Sequence, residues 1–250
     1  MVEIEALRDY CDNLLAGGEF ADYCPNGLQV EGEWPIRRLV SGVSASRALI
    51  DKAIAHGADA ILVHHGFFWK GEASSLVGMK GQRIRALMRS GMSLFAYHLP
   101  LDAHRELGNN RQLAFVLGIL DARPAASGQG LLWQGRLPHP MDRKDFVAMV
   151  AQALDREPIQ VPAHERPISI LAWSTGAAQG YIEEAARLGV DGFLSGEISE
   201  QTTHQARELG VSYFAAGHHA TERYGMQALG THLAERFEIE HHFLDLDNPA

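Results

Sequence analysis

An α/β fold of two similar halves, facing each other across a metal-binding cleft, is predicted by three features of the sequence. Strand and helix signals alternate along most of the chain. The alternation occurs twice, with matching residues where the strands begin. Histidines and carboxylates stand where apolar strands end, the place at which open α/β sheets bind ligands.

The elements follow in order. Apolar residues at Ile4, Leu7, Cys11, Leu14 and Leu15 predict an amphipathic helix over 3–16, ended by Gly17-Gly18. Asp22-Tyr-Cys-Pro-Asn-Gly-Leu-Gln-Val30 carries Pro-Asn-Gly turn chemistry and leads into an extended segment. Arg38 to Val43 reads as a strand, Ser46 to His56 as a helix, and Ala60 to His65 as a buried parallel strand. A helix over Gln82 to Ser90 and a strand over Ser93 to Tyr97 complete the first pass.

The second pass has the same order. Leu39-Val-Ser-Gly-Val-Ser-Ala-Ser followed by Gly57-Ala-Asp-Ala-Ile-Leu-Val matches Ile170-Leu-Ala-Trp-Ser-Thr-Gly followed by Gly189-Val-Asp-Gly-Phe-Leu-Ser. Ser90-Gly-Met-Ser-Leu-Phe-Ala-Tyr97 matches Leu209-Gly-Val-Ser-Tyr-Phe-Ala-Ala216. Two β-α-β-α-β units are one reading; common Gly-x-Asp turn chemistry is the other. The breaker-rich stretch 121–130 sets the expected boundary, giving a first α/β repeat over 1–125 with His64, His65 and Asp102, and a second over 126–250 with His218 and Glu222.

Composition bounds the function. The chain has 250 residues, 46% of them hydrophobic, enough for a real core. No apolar run is long enough to span a bilayer, and Met1 to Leu15 is acidic where a signal peptide would be basic and then apolar, so no membrane partner and a cytoplasmic location are expected. Two cysteines, Cys11 and Cys24, are too few for a disulfide framework or a zinc–thiolate site. The net charge of −9 disfavours broad contact with nucleic-acid phosphates. Gly-rich phosphate loops of the Walker or dinucleotide type are absent.

The polar strand ends carry the chemistry. Ile61-Leu-Val-His-His-Gly66 places two imidazoles where a packed core wants neither, and strand alternation points them to opposite sides, so each could serve one of two neighbouring ions. His98-Leu-Pro-Leu-Asp-Ala-His104 puts Asp102 one turn beyond the next strand. Gly217-His-His-Ala-Thr-Glu222 puts His218 and Glu222 at i, i+4 at the start of a helix over Ala220 to Arg236, with His219 rotated away. Three imidazoles and two carboxylates without thiolate suit Zn, Mn, Fe, Co or Ni and fit an all-oxygen Ca site poorly. Other readings stay open: a hydrogen-bonded histidine pair at a strand end, Asp102 as a helix N-cap, and His218 with Glu222 on a solvated helix face. His98 is a ligand, a proton carrier or a satisfied core imidazole. Glu197, Glu200 and His204 are either outer partners or a helix start, and the remaining histidines, His241-His242 included, read as surface groups.

The blocks Asn26-Gly-Leu-Gln-Val-Glu-Gly32, Gly57 to Gly66, Tyr97 to His104 with Leu107-Gly-Asn-Asn110, and Gly217 to Glu222 resemble the GTP cyclohydrolase 1 type 2 homolog family over the whole chain. The likeness is to its short bacterial members, which include a radiation-resistance-associated dinuclear-metal protein. The resemblance implies that His64, His65, Asp102, His218 and Glu222 bind two metal ions. It also implies a toroidal homohexamer, a trimer of dimers with the metal sites facing the inside of the ring.

Together these readings predict a dinuclear metal-dependent hydrolase acting on nucleotides or related small molecules, for example in clearing damaged nucleotides. Glu222 would sit between the ions, His64 and Asp102 would complete one, His65 and His218 the other, and His98 would be the catalytic acid or base. The rivals are a ring-shaped metal-binding scaffold that engages nucleic acid or transcription factors without turnover, and a metal-storage or metallochaperone role.

Overall fold

The amphipathic N-terminal spacing forms α1 (Ile4–Leu15), which buries Ile4, Leu7, Cys11 and Leu15. This computed structural model describes residues 1–250, the side chain of Glu19 excepted. After α1 come β1 (Gly27–Val30), β2 (Arg38–Ser44), α2 (Arg47–Ala55), β3 (Ala60–His65), α3 (Gly78–Ser90), β4 (Ser93–Ala96), α4 (Leu99–Ala103) and α5 (Asn109–Val116). The chain continues through β5 (Leu120–Pro124), β6 (Trp133–Met141), α6 (Arg143–Leu154), β7 (Ile159–Val161) and β8 (Ile168–Ser174). It ends with α7 (Ile182–Arg187), β9 (Gly192–Ser195), α8 (Glu200–Leu209), β10 (Ser212–Ala215), α9 (His218–Phe237) and β11 (Glu240–Phe243). Among the described residues no helix is long and apolar enough to cross a membrane.

Two compact units result: Met1–Leu101 with Met226–Asp247, and Asp102–Gly225 with Asn248–Ala250. The first holds a five-stranded sheet in the order β1-β4-β3-β2-β11. Its strands β11, β2, β3 and β4 run parallel, and β1 closes the edge antiparallel to β4. Val40, Leu49, Ile50, Ile61, Val63, Ile84, Leu87 and Leu94 form its core, where each buried side chain contributes about 2 kcal/mol of transfer free energy. The second unit holds a six-stranded sheet, β5-β6-β8-β9-β10-β7, parallel only through β8, β9 and β10. Trp133, Phe146, Trp173, Leu194 and Phe214 fill one of its cores. Pro138 and Pro140 fall in β6 where its pairing with β8 slips between Arg136 and Met141, so neither removes a ladder hydrogen bond.

The repeat is a repeat of structure. In the first unit Asp59 Oδ2 accepts hydrogen bonds from the backbone N–H of Arg37 (2.8 Å) and Arg38 (2.9 Å). In the second, Asp191 Oδ2 accepts from Ser169 and Ile170, both at 3.0 Å. Each aspartate also donates its own N–H back to that strand and accepts at its C=O from the serine that begins the third strand: Asp59 with Arg38 and Ser93, Asp191 with Ile170 and Ser212. The Gly-x-Asp of each half is therefore a lock joining three strand starts, more than a turn. Strand register aligns Leu39 with Leu171, since they pair with Ala60 and Gly192 respectively, one residue away from the Leu39–Ile170 match read in sequence.

The compact units do not follow the 125/126 division of the repeats. Of the stretch 121–130 expected at a boundary, residues 121–124 belong to β5 and pair with β6. The C-terminal segment returns to the first unit, where β11 pairs with β2. His241, read as a surface group, is half-buried there: its Nε2 is 2.7 Å from Ser41 Oγ and its ring lies against Gly230. Burial is the main cause that pushes its pKa down to about 4, so the ring is neutral at pH 7. The helix expected from Gln82 starts earlier, at Gly78.

Candidate metal centre

In the first unit β3 delivers His64, fully buried, and His65, half-buried, at its carboxyl end. Strand alternation sets their Cβ atoms apart, yet the rings converge, with centroids 4.7 Å apart. The hydrogen bonds explain the departure. His64 Nδ1 donates to the Tyr97 carbonyl beyond the end of β4 at 2.9 Å, while His65 Nδ1 is 3.0 Å from Ser44 Oγ at the end of β2. Anchored to the neighbours on opposite flanks, both rings turn their Nε2 edges inward. His98 joins them, its ring centroid 5.0 Å from that of His64 and 5.6 Å from that of His65. Each of the three offers a ring nitrogen within 4.8 Å of the other two.

His98 is held by a loop that the sequence marked only as a turn. Asp22 Oδ1 accepts from His98 Nδ1 at 2.7 Å, Asp22 Oδ2 accepts from Leu99 N–H at 3.0 Å and from Asn26 at 2.9 Å, and Asn26 Oδ1 accepts from His98 N–H at 2.7 Å. Burial works to raise the Asp22 pKa, but the hydrogen bonds from His98 and Asn26 outweigh it and hold the carboxyl at about 2. The Cys24 Sγ also lies within 4.8 Å of a donor atom of Asp22 and of His98, and burial pushes its pKa up to about 12, so in the absence of a metal it is a thiol at neutral pH.

In the second unit the carboxylates gather. Asp102, 5% exposed, lies inside α4 rather than ahead of a helix as an N-cap. Its Oδ1 accepts from Asn109 Nδ2 at 2.8 Å and from Thr175 Oγ1 at 3.2 Å. Glu222, 2% exposed, has an oxygen within 4.8 Å of one of Asp102's. The i, i+4 reading of α9 holds: His218 Nε2 is 3.2 Å from Glu222 Oε2. Gly176, at φ 68°, makes room for this carboxylate, since a Cβ there would overlap Glu222 Oε1. His218 Nδ1 donates to Glu197 Oε1 at 2.6 Å, which makes Glu197 an outer partner of the imidazole. Burial lowers the His218 pKa, but Glu222 and then Glu197 more than compensate and raise it to about 9. Glu200 and His204 pair with each other on an exposed helix face and take no part.

These residues fit divalent metal. All four imidazoles are held at Nδ1 by an oxygen, which leaves Nε2 as the atom that can bind a metal or carry a proton, the usual outer arrangement of a metal-binding histidine. Two buried carboxylates with oxygens within 4.8 Å of each other call for a compensating cation, which protonated His218 supplies to Glu222 and a divalent ion could supply to both. Nitrogen and oxygen donors without thiolate favour first-row divalent ions. Four anchoring groups escaped the sequence reading: Asp22, Ser44, Asn109 and Thr175. Of these, Asn109 stood in the Leu107-Gly-Asn-Asn110 block that carries the family resemblance and Asp22 at the head of the turn segment to Val30, and neither was assigned a role at the site.

The sequence pattern of the family described as Duf34/NIF3 (NGG1p interacting factor 3) matches residues 2–249. The chain is 61% identical over 250 residues to the GTP cyclohydrolase 1 type 2 homolog of Allochromatium vinosum, covering 100% of this chain and 98% of that one. It is 53% identical over 251 residues to the protein of the same name in Pseudomonas aeruginosa, covering 100% and 99%. Among solved structures it is similar to the protein ybgI, described as of unknown function, with a TM-score of 0.96, 43% identity and all of both chains covered. Motif blocks and whole-chain similarity agree: the chain belongs to the Duf34/NIF3 family of GTP cyclohydrolase 1 type 2 homologs.

Proposed function

We propose that this chain is a dinuclear metal-dependent hydrolase in which His64, His65, Asp102, His218 and Glu222 hold two divalent ions, Zn, Fe, Mn, Ni or Co. The observation that carries the proposal is the common anchoring of the imidazoles at Nδ1, together with the two buried carboxylates. When bound, the ions supply Lewis-acid polarisation of an electrophilic centre and activate water for attack. The protein's own groups do the positioning. Asn109 and Thr175 fix the Asp102 carboxylate, Glu197 fixes His218, and Gly176 leaves space for Glu222. His98 is the candidate acid or base: Asp22 keeps its Nδ1 protonated, so Nε2 is the atom that takes or gives a proton to the leaving group.

The substrate class we propose is a nucleotide or a related small molecule, handled by a cytoplasmic homohexamer built as a trimer of dimers. The test is a screen of nucleotides and phosphoesters with the metal-loaded protein, with and without chelator. Chelator-sensitive hydrolysis that falls at least a hundredfold in His98→Gln, with metal retained, supports this reading. Absence of chelator-sensitive turnover across the screen contradicts it and favours a ring-shaped metal-binding protein that acts by interaction.

A further inference from the structure

The segment that follows the His64-His65 pair is built to hold one aromatic side chain. Phe68 sits at φ 67°, a left-handed conformation that bulky residues rarely adopt and that clusters at functional sites. Several contacts fix the backbone around it. Phe67 N–H donates to Gln29 Oε1 at 2.7 Å, Trp69 N–H donates to Glu72 Oε2 at 3.2 Å, and Lys70 N–H donates to the Tyr23 carbonyl at 2.6 Å. Lys80 clamps the turn from α3, its Nζ 2.8 Å from Glu72 and 4.8 Å above the Phe68 ring. The product of this strained, clamped turn is the position of Trp69. Its half-buried indole stands edge-on to His98, with centroids 5.0 Å apart and an interplanar angle of 85°, and 5.9 Å from His65.

Packing alone does not call for this arrangement. A tryptophan that only filled space would serve the core of the unit, whereas this one lies beside two imidazoles, His65 and His98, and contributes to none of the described core clusters. We propose that Trp69 is the specificity-determining residue of the site, its indole stacking on a planar heteroaromatic ring of the substrate beside the His98 imidazole. The proposal rests on the hydrolase reading above and narrows its substrate class to molecules that carry such a ring. Phosphate and sugar alone would gain nothing from Trp69.

The test is calorimetric binding of guanosine monophosphate and of ribose 5-phosphate to the metal-loaded wild type, Trp69→Phe and Trp69→Ala, with metal content measured for each. Stacking on an aromatic side chain is worth about 1–3 kcal/mol per base, so Trp69→Ala is expected to weaken guanosine monophosphate by roughly tenfold or more. Trp69→Phe should recover most of that loss, and ribose 5-phosphate affinity and metal content should stay at wild-type values in both variants. Equal weakening of both probes, loss of metal in either variant, or unchanged guanosine monophosphate affinity in Trp69→Ala overturns the role of Trp69 while leaving the hydrolase reading standing. If the wild type binds neither probe, the nucleotide reading fails and the Trp69 proposal fails with it.

Discussion

The β2-α2-β3-α3-β4 and β8-α7-β9-α8-β10 repeats begin alike and end differently. At their amino ends they share the same lock, with Asp59 and Asp191 each accepting two backbone N–H groups from the first strand. After its third strand each repeat places an imidazole on a carboxylate, His98 on Asp22 at 2.7 Å and His218 on Glu197 at 2.6 Å. The carboxylates come from unrelated places: Asp22 from the loop before β1, Glu197 from just beyond β9. The middle strands diverge most, since β3 closes in His64-His65 and β9 in Ser195-Gly196-Glu197. One scaffold is thus specified twice by residues at strand starts, and its chemistry is written separately at the strand ends.

Matched substitutions test this comparison. The largest effect is expected at the paired core leucines, Leu62 and Leu194, which are 1% and 0% exposed at equivalent positions of β3 and β9. Leu62→Ala and Leu194→Ala should each cost about 3 kcal/mol in urea unfolding. A cost below about 1 kcal/mol in one of them would show that the two middle strands are not equivalent in packing. Asp59→Ala and Asp191→Ala come next, each removing an acceptor of two N–H groups and costing about 2 kcal/mol. If one aspartate proves dispensable, the shared lock is confined to one repeat. The smallest pair is Gly57 and Gly189, at φ 64° and 71° after the helices that precede the middle strands. Alanine at either should cost about 1 kcal/mol. Gly57→Ala should be the more costly, because its Cβ would lie 3.1 Å from Arg38 Nη1 while nothing comes within 4 Å at Gly189.

The strand starts were legible in sequence because apolar runs and Gly-x-Asp signals are local. Ala60–His65 and the i, i+4 spacing of His218 and Glu222 follow from one element's periodicity alone. What escaped depends on distant partners. β5 looked like a breaker-rich boundary because its strand character comes from pairing with β6, and its partner strand is long and interrupted by Pro138 and Pro140. His241 looked exposed because β11 carries little apolar signal, yet pairing with β2 brings it against Ser41 and Gly230. The convergence of His64 and His65 was hidden for the same reason: their directions are set by Tyr97 and Ser44, residues 33 and 21 positions away.

The metal content of the purified chain tests most directly the proposed use of these differing strand ends as metal ligands. Elemental analysis by mass spectrometry, after loading and dialysis, should find two divalent ions per chain in the wild type and one or fewer in Glu222→Gln, with Ser195→Ala unchanged. Two ions retained in Glu222→Gln, or none in the wild type, would contradict the account.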